Sequence, residues 1–117
     1  GAIHALSHPI GAIYNTHHGT TNAVCMPAVL QFNKPAIKNL LKEASNYLGI
    51  NGGFDGFCSY VDDLNSFLEV PRSLSELGIK NPDIDRIVSS ALNDPSTSGN
   101  PINMTISNTR DLILNII

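Results

Sequence analysis

Apolar positions recur along most of this chain with the 3.6-residue period of a helix that buries one face. Between residues 36 and 48, Ile37, Leu40, Leu41, Ala44, Tyr47 and Leu48 share one face, and Lys38, Lys42 and Glu43 lie opposite. Pro35 suits the first turn of that helix and Gly49 the position just past its end. The pattern returns over residues 54–69 with Phe54, Phe57, Cys58, Val61, Leu64 and Leu68, and Pro71 then breaks the chain. A short helix is expected next, opened by the capping-box spacing of Ser73 and Glu76 and closed by Gly78. Asn81-Pro82 opens another, with Ile84, Ile87, Val88, Ala91 and Leu92 on one stripe. The polar run "NDPSTSGNP", residues 93–101, reads as a loop. Asn108 and Asp111 are spaced to cap a last helix ending in "LILNII", which is apolar enough to need burial.

The first thirty residues are less regular. "GAIHALS" reads as helix, but Pro9 disfavours the α conformation at His8, so the helix should kink or end there or be held by tertiary contacts. "YNTHHG" is a polar turn ending in Gly19, and "TTNAVCMPAVLQF" resumes as an apolar helix bent at Pro27. No segment alternates with period two between turn signals. The expected class is all-α: an antiparallel helix bundle with short connections, in a single all-helical domain or domain fragment spanning residues 1–117.

Bulk composition narrows the function. A chain of 117 residues, 42% hydrophobic and 15% charged, can bury one globular core. Its formal net charge is −3 and its seven Lys and Arg are scattered singly, which argues against nucleic acid or an acidic membrane surface as partner. Two cysteines, Cys25 and Cys58, far apart and among apolar residues, do not make a disulfide framework, so each reads as a small buried side chain and the cytoplasm is the expected compartment. No secretory signal and no spanning apolar run is visible.

The chemistry is concentrated at one end. All four histidines fall between positions 4 and 18. His4 and His8 are four residues apart, so a helix sets both on one face. On a straight helix His18 would lie about 21 Å beyond His4, so the chain must reverse at "NTHHG" before the two could meet. Imidazole nitrogen binds zinc or Fe(II), but such ions take three or four protein ligands, often including a carboxylate. The first acidic residue is Glu43, and nothing nearby in sequence completes a site. Spacing alone therefore leaves both a metal site and an ordinary pair of surface histidines open.

The string "HALSHPIGAIYNTHHGTTNAV" resembles the signature of the iron-containing (group III) alcohol dehydrogenases, approximately H-A-x-x-H-x-x-G-x-x-x-x-x-P-H-G-x-x-N-A. It matches at His4, Ala5, His8, Gly11, His18, Gly19, Asn22 and Ala23. "PRSLSELGI" and the stretch from Asn100 to Ile113 are also similar to that family. The resemblance implies an oxidoreductase that interconverts a small alcohol and its aldehyde through NAD or NADP, using Fe(II) or alternatively Zn(II). It implies His4 and His18 as metal ligands, and His8 beside substrate and nicotinamide in proton transfer. The family's remaining ligands, one Asp and one His, come from an earlier helix, so the missing N-terminal part of the same protein, with a Rossmann-like nucleotide domain, is an implied partner. A homo-oligomer is a further possibility. This chain then resembles only the last third of a member, with no nucleotide-binding residue of its own, and is expected to be inactive alone. "NGGFDGF" has no strand before it and carries little weight as a phosphate loop. A stand-alone helical interaction module on the same scaffold and a zinc polyol dehydrogenase relative are the alternatives. The chain departs from the signature at His17, where the family usually has Pro. His17 reads as a solvated turn residue, or else as a competing metal nitrogen or a proton route.

Overall fold

The computed structural model describes residues Gly1–Ile117. Five α-helices follow in order: α1 (Ala2–Tyr14), α2 (His18–Leu48), α3 (Gly53–Phe67), α4 (Ile84–Leu92) and α5 (Ile106–Leu114), with a short 3-10 helix at Pro95–Gly99 between the last two. There is no strand, as the periodicity implied. The molecule measures 39 × 31 × 19 Å, and its shortest dimension is two helix diameters.

Sixteen buried side chains form one cluster. Ala2, Ala5, Leu6 and Ile10 of α1 meet Val24, Cys25 and Val29 of α2, Ile87, Val88 and Ala91 of α4, and Leu112 and Ile113 of α5. Leu74, Ile79 and Met104 from the connections and Ile116 from just after α5 close the cluster. α3 contributes none of these; it packs back along α2 as a hairpin, from Ser45 near the turn to Ala23. Phe54 and Val61 of α3 are buried in that hairpin, whereas Leu40, Tyr47 and Leu48 of α2 and Leu64 and Leu68 of the α3 segment remain exposed. The amphipathic period at 36–48 is thus real, but half of its apolar face has no partner in this chain.

Several boundaries differ from those expected. Two helices divided at Pro35 are one continuous helix of 31 residues, α2, with Pro27 and Pro35 inside it. Proline at 27 removes the N–H that would bond the Ala23 carbonyl. Asn65 of α3 supplies the donor instead, its Nδ2 lying 3.3 Å from Ala23 O. α1 likewise runs through Pro9 to Tyr14. The helix expected after Ser73 is only a turn: Ser73 Oγ accepts from the Glu76 amide at 3.2 Å as the spacing suggested, but Glu76 turns its carboxylate to the Arg72 amide and Gly78 at φ +93° ends the segment at once. The last helix is capped by Thr105, not by Asn108; Asn108 is the reciprocal member of that capping box. The "NDPSTSGNP" segment carries the 3-10 helix.

The glycines of "NGGFDGF" are explained by the α2–α3 turn. Gly52 has φ +95°, and a Cβ on Gly56 would overlap the Asn51 carbonyl.

Candidate metal centre

The site is built by the reversal between α1 and α2. Asn15 ends α1 in the left-handed conformation, φ +55°, and its amide bonds the Gly11 carbonyl at 2.8 Å. His17 then takes the extended N-cap position of α2, with φ −68°, and its Nδ1 accepts from the Thr20 amide at 3.4 Å. That φ is the one proline imposes, so the backbone here suits the proline usual in the signature. The turn is braced from inside: Thr21, fully buried, donates its hydroxyl to the His17 carbonyl at 2.9 Å and pairs with Thr16 Oγ1 at 2.7 Å. Gly11 faces this turn, where a Cβ would meet the Thr16 carbonyl oxygen at 3.6 Å.

The consequence is convergence. His4 and His8 lie one turn apart on the exposed side of α1, and His18 opens α2 beside them. Ring centroids stand 5.4 Å apart for His4–His8, 5.3 Å for His4–His18 and 5.4 Å for His8–His18, the last pair nearly parallel at 18°. One ring nitrogen from each residue lies within 4.8 Å of the other two. Two nitrogens bound to one zinc at tetrahedral angles would be about 3.4 Å apart, given bonds of about 2.0–2.1 Å. Exposed imidazoles that can turn about their side-chain bonds fit that spacing. The donor set, neutral nitrogen without thiolate, suits zinc or iron. His17 is spent on the cap and lies outside the cluster.

Two neighbours hold the rings. Asn22, one turn along α2, brings its side-chain Nδ2 to 3.1 Å from His18 Nε2, while its Oδ1 is buried without a protein partner. Asn22 therefore reaches the site from within the first turns of α2. Asp94 Oδ2 lies 2.9 Å from His8 Nδ1, and Asp94 Oδ1 accepts from the Ser96 amide at 2.8 Å as the N-cap of the 3-10 helix. Enclosure of Asp94 pushes its carboxyl pKa up, but hydrogen bonds from His8 and from the Ser96 backbone and side chain outweigh it and hold the group below its ordinary value. Asp94 was not among the residues singled out in the sequence; its one local signal is an Asp-Pro pair opening a helical turn.

Asn100 secures the same region. Its Oδ1 accepts from the Ala2 amide at 3.0 Å and Asn33 Nδ2 at 2.9 Å, and its Nδ2 donates to Asn33 Oδ1 at 2.8 Å and the Ile102 carbonyl at 2.7 Å. The start of α1, two residues before His4, is thereby tied to the middle of α2.

The family described as "Fe-containing alcohol dehydrogenase family, C-terminal" matches residues 1–117. The chain belongs to the iron-containing alcohol dehydrogenase family. Among relatives, lactaldehyde reductase of Escherichia coli is 29% identical over 119 residues, covering 96% of this chain and 31% of its own length. Alcohol dehydrogenase 4 of Saccharomyces cerevisiae is 32% identical over 108 residues, covering 90% and 28%. A crystal structure of a 1,3-propanediol oxidoreductase shares the fold with a TM-score of 0.91 over the whole chain, at 24% identity and 32% of its own length. The chain thus spans about a third of the length of the relatives it matches. Its fold is that of the family's C-terminal helical region, and its relatives are alcohol and aldehyde oxidoreductases. No helix is long and apolar enough to cross a membrane.

Proposed function

We propose that this chain is the C-terminal helical part of a metal-dependent alcohol dehydrogenase that interconverts a small alcohol and its aldehyde or ketone with NAD or NADP. The observation that carries the reading is the convergence of His4, His8 and His18, from two helices, within 4.8 Å. His4 and His18 would hold Fe(II), or Zn(II) in a polyol dehydrogenase-like relative, together with ligands from a preceding part of the same protein. Bound there, the metal supplies Lewis acidity toward the substrate oxygen. Oxidising an alcohol removes a hydride from carbon and a proton from oxygen. A nicotinamide held by the preceding part of the protein would supply the hydride acceptor, and His8 takes the proton at the nitrogen not engaged by Asp94, Nε2, and returns it to solvent. In the reducing direction His8 Nε2–H gives that proton back.

The rings are exposed on this chain, so the part that binds nucleotide would also close the site and exclude water. Calorimetric titration with Fe(II) under anaerobic conditions, and with Zn(II), tests the assignment. His4→Ala and His18→Ala should each abolish the binding seen with the wild-type chain, while His8→Ala should retain it. Loss of binding in His8→Ala would make His8 a ligand and overturn its role as proton carrier. The chain alone should not turn over alcohols with NAD(H) or NADP(H); measurable turnover would overturn the view that it supplies only part of an active site.

A further inference from the structure

We propose that Asp94 is a positioning residue for His8: its carboxylate holds the proton on Nδ1 and so leaves Nε2 as the lone-pair nitrogen of the ring. The inference rests on the reading of His8 as the proton carrier, but its geometry stands by itself. The two carboxylate oxygens have separate tasks. Oδ1 accepts from the Ser96 amide at 2.8 Å, which fixes the carboxylate, and Oδ2 faces His8 Nδ1 at 2.9 Å. An ionised carboxylate only accepts hydrogen bonds, so the proton between them belongs to Nδ1. The Asp94 side chain is 12% exposed while that of His8 is 43% exposed. An enclosed, braced acceptor thus grips one side of a ring whose other side is open.

The bracing is what separates this pair from a surface ion pair, which typically contributes about 0–1 kcal/mol and orients little. Asp94 is followed by Pro95, with its fixed φ, in the first turn of the 3-10 helix. Thr97 Oγ1 ties that helix to the Ala91 carbonyl of α4 at 2.5 Å. Asn100 then anchors its far end to Asn33 and to the Ala2 amide. The segment that carries the carboxylate and the helix that carries His8 are therefore fastened together twice, once at the ring and once at the start of α1. A ring held in one tautomer keeps Nε2 as its lone-pair nitrogen beside His4 and His18, whose ring centroids lie 5.4 Å from its own.

The variant that isolates this role is Asp94→Asn. Its Oδ1 can still accept from the Ser96 amide, so the cap survives. Its Nδ2 then faces His8 Nδ1 as a donor, so Nδ1 must become the lone pair and the proton must move to Nε2. Long-range proton–nitrogen spectra of the imidazoles, at a pH above the ordinary histidine range, report the tautomer directly. The wild-type chain should show His8 as Nδ1–H and Asp94→Asn as Nε2–H, with the Ser96 amide resonance and the helical signals retained. His8 as Nε2–H in the wild type, or as Nδ1–H in Asp94→Asn, overturns the proposal. The alternative that Asp94 serves only as a helix cap predicts no tautomer change. Zn(II) added to the same samples separates the two levels: His4 and His18 resonances that ignore the metal would refute the metal-site reading while the tautomer result for Asp94 stood.

Discussion

Replacing Asn100 by Ala tests whether the site is held from a distance. The wild-type side chain uses its full capacity: two bonds accepted at Oδ1, from Ala2 and Asn33, and two donated from Nδ2, to Asn33 and Ile102. Asn33 is 6% exposed, so once Asn100 is gone water cannot readily reach its amide. Each lost hydrogen bond is worth about 1 kcal/mol net, and each buried group left unpaired costs about 1–3 kcal/mol. The Ile102 carbonyl, on a half-buried residue, recovers part of this from water, whereas Ala2 is buried and its amide is left unpaired. The expected loss is about 2–4 kcal/mol, a large fraction of the roughly 5–15 kcal/mol that holds a typical domain together.

Urea denaturation followed by circular dichroism measures it. A double-mutant cycle with Asn33→Ala should show a coupling of about 0.5–3 kcal/mol, because the second substitution removes a partner already orphaned by the first. The start of α1 is fastened by the same side chain, so Asn100→Ala should also weaken Zn(II) binding at His4 and His18 although it alters no ring. A variant within about 0.5 kcal/mol of wild type, or strictly additive single substitutions, would refute the latch.

Two further outcomes follow from particular contacts. Asn65→Ala leaves the Ala23 carbonyl opposite Pro27 without a donor and should cost about 1 kcal/mol in the same urea assay; no change would mean that water takes over the carbonyl. Burial pushes the Cys25 thiol from 9.0 up to about 12. Between those values the unfolded chain has lost that proton and the folded chain keeps it, so stability should fall as pH rises through the window. A thiol-reactive disulfide reagent near neutral pH should accordingly label the partly exposed Cys58 in the folded chain and Cys25 only after denaturation. Fast labelling of Cys25 in the folded chain would contradict its burial.

Helix type was legible because it depends on local periodicity; helix ends were less so because proline is ambiguous. Pro9, Pro27 and Pro35 each argue locally for a break, and each sits inside a continuous helix. The freed carbonyl at Ala23 shows how tertiary structure overrides the rule: Asn65, 42 residues away, provides the missing donor. Around Pro9 the fully buried Leu6 and Ile10 hold α1 against the core, which offsets part of a penalty of about 3 kcal/mol. The reverse error occurred at Ser73. Its capping spacing is genuine, but Gly78 stops the segment before a second turn can form. Periodicity also says nothing about what an apolar face meets, which is why Tyr47 and Leu48 can obey it and stay exposed.

The site divides along the same line. His4 and His8 share a face because of a four-residue spacing, and the reversal that delivers His18 is written in Asn15, Thr16 and Thr21, all within a few positions of one another. Those residues act through backbone conformation and short-range hydrogen bonds, and such signals survive in a single sequence. Asp94 reaches His8 across 86 residues, and no period or spacing connects them. Locally Asp94 is fully accounted for as the cap before Pro95, so the sequence gives no reason to look for a second use. Its two oxygens serve both, one for the local turn and one for a ring on another helix. The three imidazoles are thus brought together by neighbouring residues, while the protonation geometry of one of them depends on how the far end of the chain packs back onto α1. A substitution in the Asn93–Pro101 segment that leaves every histidine and the α1–α2 turn intact can therefore alter the chemistry of the site.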